Sequence, residues 1–130
     1  MKEGYGMLEC LFVGIGGFIG SVCRYLIGLL AVETASGFPI KTFCINIIGA
    51  FVLGIVSETA VLNPNFSRNL VLLLQIGLCG GFTTFSTFSS EALKLLTTGR
   101  QGTALAYMVA SMALGLLAVF AGQMVARFVK

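Results

Sequence analysis

The chain contains no histidine, no aspartate and no tryptophan, only two prolines, and charged residues make up only 10% of its 130 residues. Each shortage excludes something. Without histidine and aspartate, most metal-hydrolase sites and Ser-His-Asp triads are out of reach, and no other constellation supports an enzyme. A soluble domain carries about 25% charged residues, so a chain that is 57% apolar reads as an integral membrane protein. The net charge of +3 belongs to loops and helix ends and gives no support to a nucleic-acid partner. The four cysteines form no CxxC pair and sit in apolar runs, where buried, reduced thiols are the ordinary reading. The N-terminus makes a poor signal peptide, because Lys2 is offset by Glu3 and Glu9 and the apolar run is too long.

What is present is length of apolar sequence. Four segments are predicted to span a bilayer: Leu8–Val32, Thr42–Leu62, Leu70–Leu96 and Thr103–Ala126. Pro39 and Pro64 fall in the short connections, as expected of helix breakers. The chain reads as one four-helix transmembrane domain over residues 1–130, all-α, with both ends on one side. Outside the spans, Lys2, Arg68, Arg127 and Lys130 on the side of the termini stand against Lys41, Lys94 and Arg100 on the other. Orientation follows the lysine and arginine bias, and four against three is almost no bias. Either the orientation is fixed by something subtler, or copies insert both ways and pair antiparallel, for which such balance is needed. Gly16 and Gly20 form a GxxxG pair, and Gly49, Gly54, Gly115 and Gly122 lie in the second and fourth spans. Small residues let helices approach closely in lipid, within a chain or between chains.

The third span holds the main anomaly. Gly80-Gly81-Phe82-Thr83-Thr84-Phe85-Ser86-Thr87-Phe88-Ser89-Ser90 lies between Leu70–Cys79 and Ala92–Leu96. The glycine pair then falls close to mid-membrane and is expected to break or loosen the helix there. Non-helical backbone at that depth is tolerated only inside protein or beside water. Phe82, Phe85 and Phe88 recur every third residue, with hydroxyls in the gaps. Aromatic stripes are more often packing than function. A phenyl ring nevertheless has a positive edge, and ring edges alternating with hydroxyls suit a small bare anion without a fixed charge that would hold it too tightly. Carbonyls freed at the break carry partial negative charge and suit Na⁺.

Other polar residues stand in the spans. Arg24 marks either a water-filled path or a side chain that snorkels to the interface. The Asn46 carboxamide is a two-hydrogen donor for an anion, or one half of an interhelical hydrogen bond, and Gly49 keeps its face small. Tyr107 and Ser111 share a face of the fourth span. Glu91 faces either a pore mouth or, more blandly, the lipid interface.

Gly16-Gly17-x-x-Gly20-x-x-x-Arg24-Tyr25, Asn46-x-x-Gly49 and above all Gly80-Gly81-Phe82-Thr83-Thr84-Phe85-Ser86-Thr87-Phe88 resemble the Fluc-type fluoride channels, also called CrcB, over nearly the whole chain. The resemblance implies an antiparallel, dual-topology homodimer in the bacterial plasma membrane, with two fluoride pores and passive export of cytoplasmic fluoride. It implies pores lined by Asn46, Phe85 and Phe88, with Tyr107 and Ser111 beside them and Ser86 and Thr87 on a hydroxyl track. It further implies a central structural Na⁺ held by the backbone oxygens of Gly80 and Thr83 from both subunits, and Arg24 at an aqueous vestibule. Gly115 and Val119 depart from the family pattern, in which hydroxyls often continue the Ser111 face. The rival from another class is a small proton-coupled multidrug exporter. It needs a mid-membrane carboxylate, for which only Glu91 is arguable, and tryptophan for drug stacking is absent. A purely structural subunit is the third reading.

Overall fold

The computed structural model describes residues 3–130, with side chains described from residue 6 onward. Among these residues every regular element is helical: α1 (Glu3–Gly28), α2 (Ile40–Leu62), α3 (Arg68–Val71), a π-helical run (Leu72–Cys79), α4 (Gly80–Phe82), α5 (Phe85–Thr97) and α6 (Gln101–Phe128). Four stretches are long and apolar enough to cross a membrane: Gly6–Gly28, Ile40–Leu62, Arg68–Thr97 and Gln101–Phe128. Their ends differ from those read in the sequence. The first helix stops at Gly28 instead of Val32, where Lys41 Nζ donates to the carbonyls of Gly28 (3.0 Å) and Leu30 (3.2 Å) and caps the last turn. Arg24 is therefore about one turn from the end of its helix.

Glycine decides which helices touch. A Cβ on Gly16 would run into Leu73 O, and one on Gly20 into Leu78 O. From the other side, a Cβ on Gly77 would fall 2.7 Å from Val13 O, and one on Gly81 2.6 Å from Gly17 O. The GxxxG pair of α1 thus packs within the chain, against the first limb of the third span, residues 68–82. In the same way Gly54 meets the Val119 carbonyl and Gly122 the Phe51 carbonyl, which joins α2 to α6. Gly115 has nothing within 4 Å of where a Cβ would sit, so it supports no helix contact.

The second limb, α5, turns into α6 through Gly99, whose φ of +79° lies in the left-handed region that glycine tolerates. Ala92 and Leu95 of α5 pack with Ala104 and Tyr107 of α6, and Phe38, Phe43, Phe88 and Met108 close around them. On the side of the termini, Arg68 pairs with Glu9 (3.0 Å) and Arg127 with the buried Glu58 (2.7 Å). Lys2, counted on that side, lies outside the described residues.

The third span is not interrupted where the glycines are. Gly80 is helical, with φ −64° and ψ −38°. The chain leaves the helix at Thr83 (φ −75°, ψ 157°) and Thr84 (φ −149°, ψ 112°), and α5 begins at Phe85. The glycines serve contact with α1, as the Gly17–Gly81 approach shows. Two consecutive β-branched residues, whose side chains favour extended backbone, supply the non-helical step.

Candidate functional site

The site is built around that step. Thr84 is the N-cap of α5, and its Oγ1 accepts from the Thr87 backbone N–H (3.2 Å) and donates to Thr87 Oγ1 (3.0 Å). The extended Thr84 backbone is held by Asn46 of α2 at both ends of its amide. Thr84 N–H donates to Asn46 Oδ1 (2.8 Å), and Asn46 Nδ2 donates to Thr84 O (3.3 Å). A side-chain carboxamide here replaces the neighbouring strand that an extended residue would otherwise need. Of the two Nδ2 hydrogens one is engaged and one remains available. One turn along α2, a Cβ on Gly49 would collide with Thr83 Cγ2. The small face beside Asn46 therefore receives the Thr83 side chain.

An open groove of about 550 Å³ lies beside this clamp, lined by Asn46, Phe85, Phe88 and Ser111 together with Met108 and Met112. The Phe85 and Phe88 rings lie 5.8 Å apart, tilted by 35°. Phe85 is 79% exposed, and Phe88 is half-buried against Tyr107, 5.0 Å away. Ser111 Oγ is enclosed and has no hydrogen-bond partner. Serines and threonines in helices usually satisfy themselves on the carbonyl four residues back, as Ser21, Thr59 and Ser89 do here. Ser111 does not, and an unsatisfied buried hydroxyl costs about 1–3 kcal/mol. It is a donor held in reserve beside two phenyl rings and a carboxamide.

The other expected site residues are distributed differently. Ser86 is exposed and lies 3.4 Å from Thr84 Oγ1, and Thr87 completes the cap, so both hydroxyls tie into the non-helical step. Tyr107 is fully buried behind Phe88, and its hydroxyl donates to Glu91 Oε2 (2.8 Å). The other Glu91 oxygen accepts from Thr42 Oγ1 (2.9 Å). Glu91 thus faces inward, into a hydroxyl-lined network, and the lipid-interface reading does not hold. Thr42 was not singled out in the sequence, although it stands one helical turn before Asn46 on the same face, and that spacing was the available signal. Arg24 Nε donates to Gly81 O (3.0 Å), and Arg24 lines neither the groove nor the larger cavity described next.

That cavity, of about 810 Å³, opens at the end where α5 meets α6. Thr42 and Glu91 line it from within, and Glu33, Lys41, Lys94 and Arg100 surround it.

Near the glycines, the diversion of Thr84 N–H to Asn46 removes the donor that would close a helical turn onto the Gly80 carbonyl. Gly80 is exposed, with nothing within 4 Å of where a Cβ would sit. The Thr83 N–H and Oγ1 both donate to Cys79 O (2.9 and 2.8 Å). Two backbone oxygens from one chain are too few to enclose a cation, so Gly80 and Thr83 fit a Na⁺ only where a second copy supplies as many again. Among the described residues no cluster of acidic, cysteine or histidine side chains offers a metal site.

Residues 11–123 match the family model described as CrcB-like protein, Camphor Resistance (CrcB). The chain is 43% identical over 121 residues to the fluoride-specific ion channel FluC of Chlorobaculum tepidum, covering 93% of this chain and 96% of that protein. It is 44% identical over 117 residues to the protein of the same name from Rhizobium meliloti, covering 89% and 94%.

Proposed function

The chain belongs to the CrcB family of multi-pass bacterial membrane proteins, and from that membership we propose that it is a fluoride-selective channel that lets cytoplasmic fluoride leave passively down its own gradient. It is a channel-family protein and not an enzyme. The observation that carries the reading is the groove. Asn46, the Phe85 and Phe88 rings and Ser111, whose enclosed hydroxyl is unpartnered, line a space that carries no fixed positive charge. A small, strongly hydrated anion needs its water replaced by hydrogen-bond donors, and sites weak enough to release it are what conduction requires.

The working unit we propose is an antiparallel homodimer with two pores. Phe85 is too exposed to form a closed wall alone, and the groove is open on that side. Leu11, Phe18 and Leu26 on α1 and Leu105, Leu116 and Phe120 on α6 are likewise exposed, and lipid and a second copy of the chain are their natural cover. The non-helical step at Thr83 and Thr84 would lie near mid-membrane, lining the pores and so meeting the condition for irregular backbone at that depth. The Gly80 and Thr83 carbonyls of both copies would then converge on a structural Na⁺ at the two-fold axis. Bound there, the ion would neutralise the partial charge of the helix ends and fix the two copies in register. Ser86 and Thr87 would extend the pore wall in the assembled pair, with Tyr107 behind it.

Glu91 supports this reading against the drug exporter. An exporter needs a carboxylate free to exchange protons for a cationic drug, whereas both Glu91 oxygens accept hydroxyl hydrogen bonds. The deciding experiment is fluoride efflux from liposomes holding the purified protein, followed with a fluoride electrode beside a chloride-loaded control. Fast fluoride release without chloride release is expected. No fluoride release from protein shown to be dimeric would overturn the assignment.

A further inference from the structure

Among the described residues there are seven basic side chains, and six have a structural partner. Arg24 donates to Gly81 O, Lys41 to Gly28 O and Leu30 O, Arg100 to Ser36 O and Lys130 to Leu62 O. Arg68 and Arg127 pair with Glu9 and Glu58. Lys94 alone has neither a hydrogen bond nor an ion pair, and it lines the 810 Å³ cavity. It stands one helical turn beyond Glu91 on the same face of α5.

The cavity and the groove lie in line. Thr42, which lines the cavity, is one turn before Asn46 on α2; Glu91, also lining it, is one turn after Phe88 on α5. The cavity therefore lies about one helical turn from the groove on both α2 and α5, with the Thr42–Glu91–Tyr107 hydrogen bonds between them. Neither acid of the cavity forms an ion pair with Lys94: Glu91 accepts from Thr42 and Tyr107, and Glu33 has no ion pair.

We propose that Lys94 is the charge that draws anions into the cavity and so sets the rate at which they reach the groove, without taking part in their selection. The inference rests on the channel reading above. A lysine in the last turn of a helix also complements the helix dipole, and this is the competing explanation for its position. The two differ in salt dependence. A charge acting on ions in water is screened, with a Debye length of about 30 Å at 0.01 M salt and about 3 Å at 1 M. The cavity carries Lys41, Lys94 and Arg100 against Glu33 and Glu91, a formal excess of one positive charge that the loss of Lys94 would abolish, and an excess of one sign in a cleft raises the local concentration of counter-ions. A contribution to helix stability changes the amount of folded channel, not its conductance.

The test is fluoride conductance in planar bilayers for the wild type, Lys94→Gln and Lys94→Arg, at about 0.01 M and about 1 M ionic strength. The expected result is a loss of about three- to tenfold for Lys94→Gln at low salt that nearly vanishes at high salt. Lys94→Arg should keep the wild-type profile, and the fluoride-to-chloride preference should be the same in all three. An equal loss at both salt concentrations, no loss at either, or a Lys94→Arg channel as impaired as Lys94→Gln would each overturn the proposal. If the wild type itself fails to conduct fluoride, the channel reading fails instead, and the two failures are distinct.

Discussion

Ser111 is the residue on which the site can be tested most cleanly. Its hydroxyl is buried without a partner, so Ser111→Ala removes an unsatisfied group and should leave stability unchanged or raise it by up to about 1–3 kcal/mol. Fluoride flux should nonetheless fall about tenfold, since a hydrogen bond to a charged group is worth about 1.5–3 kcal/mol. Thermal unfolding in detergent beside liposome efflux separates the two, and a variant with wild-type flux would remove Ser111 from the pore. Phe85 gives the complementary case. Phe85→Ile keeps an apolar volume at an exposed position and removes a ring edge, so flux should drop sharply while dimer assembly, read by size-exclusion chromatography, is preserved. Asn46 was legible in the sequence as a polar group beside a small face. Its principal contact was not, because its partner is a backbone amide 38 positions away. Asn46→Ala should therefore cost flux and also loosen the Thr84 backbone, seen as faster amide exchange at Thr84 than in Ser111→Ala.

At the scale of the element, the glycines divide into those that carry a helix contact and those that do not. Gly20→Val places side-chain atoms against the Leu78 carbonyl, a backbone group that cannot swing aside. Overpacking of this kind costs about 1–3 kcal/mol, and the melting temperature in detergent should fall accordingly. Gly115→Val meets nothing within 4 Å and is expected to be neutral in the same measurement. Equal behaviour of the two variants would mean that α1 does not lie against residues 68–82 as described. The sequence marked Gly16 and Gly20 as a close-contact motif but could not say whether the partner was in the same chain. It also placed the interruption of the third span at the glycine pair. Glycine permits a break without requiring one, whereas Thr83 and Thr84 leave the helix because Asn46 and the Thr87 cap stabilise the extended form.

For the whole molecule, the near balance of lysine and arginine across the two ends is the property to perturb. Adding two lysines to the connection 63–67 should drive all copies into one orientation. Flux should then be lost if the channel needs oppositely inserted copies, and co-expression with a variant biased the other way should restore it. Full flux from the biased variant alone would exclude an antiparallel pair.

Composition and periodicity determined by themselves that the chain spans a membrane four times, that it is not a histidine- or aspartate-dependent enzyme, and that the third span alone alternates phenyl rings with a run of hydroxyls. These follow from apolar length and from which functional groups exist at all, and neither depends on how the helices are arranged. The tertiary structure decided the pairing of α1 with residues 68–82 and of α2 with α6. It also turned Glu91 inward to Thr42 and Tyr107, left Ser111 without a partner, and left the Lys94 side chain unpaired at the cavity where α5 meets α6. Each of these depends on contacts between residues far apart in the chain, and the partner of a polar group is set by what the packed helices bring within about 3 Å of it.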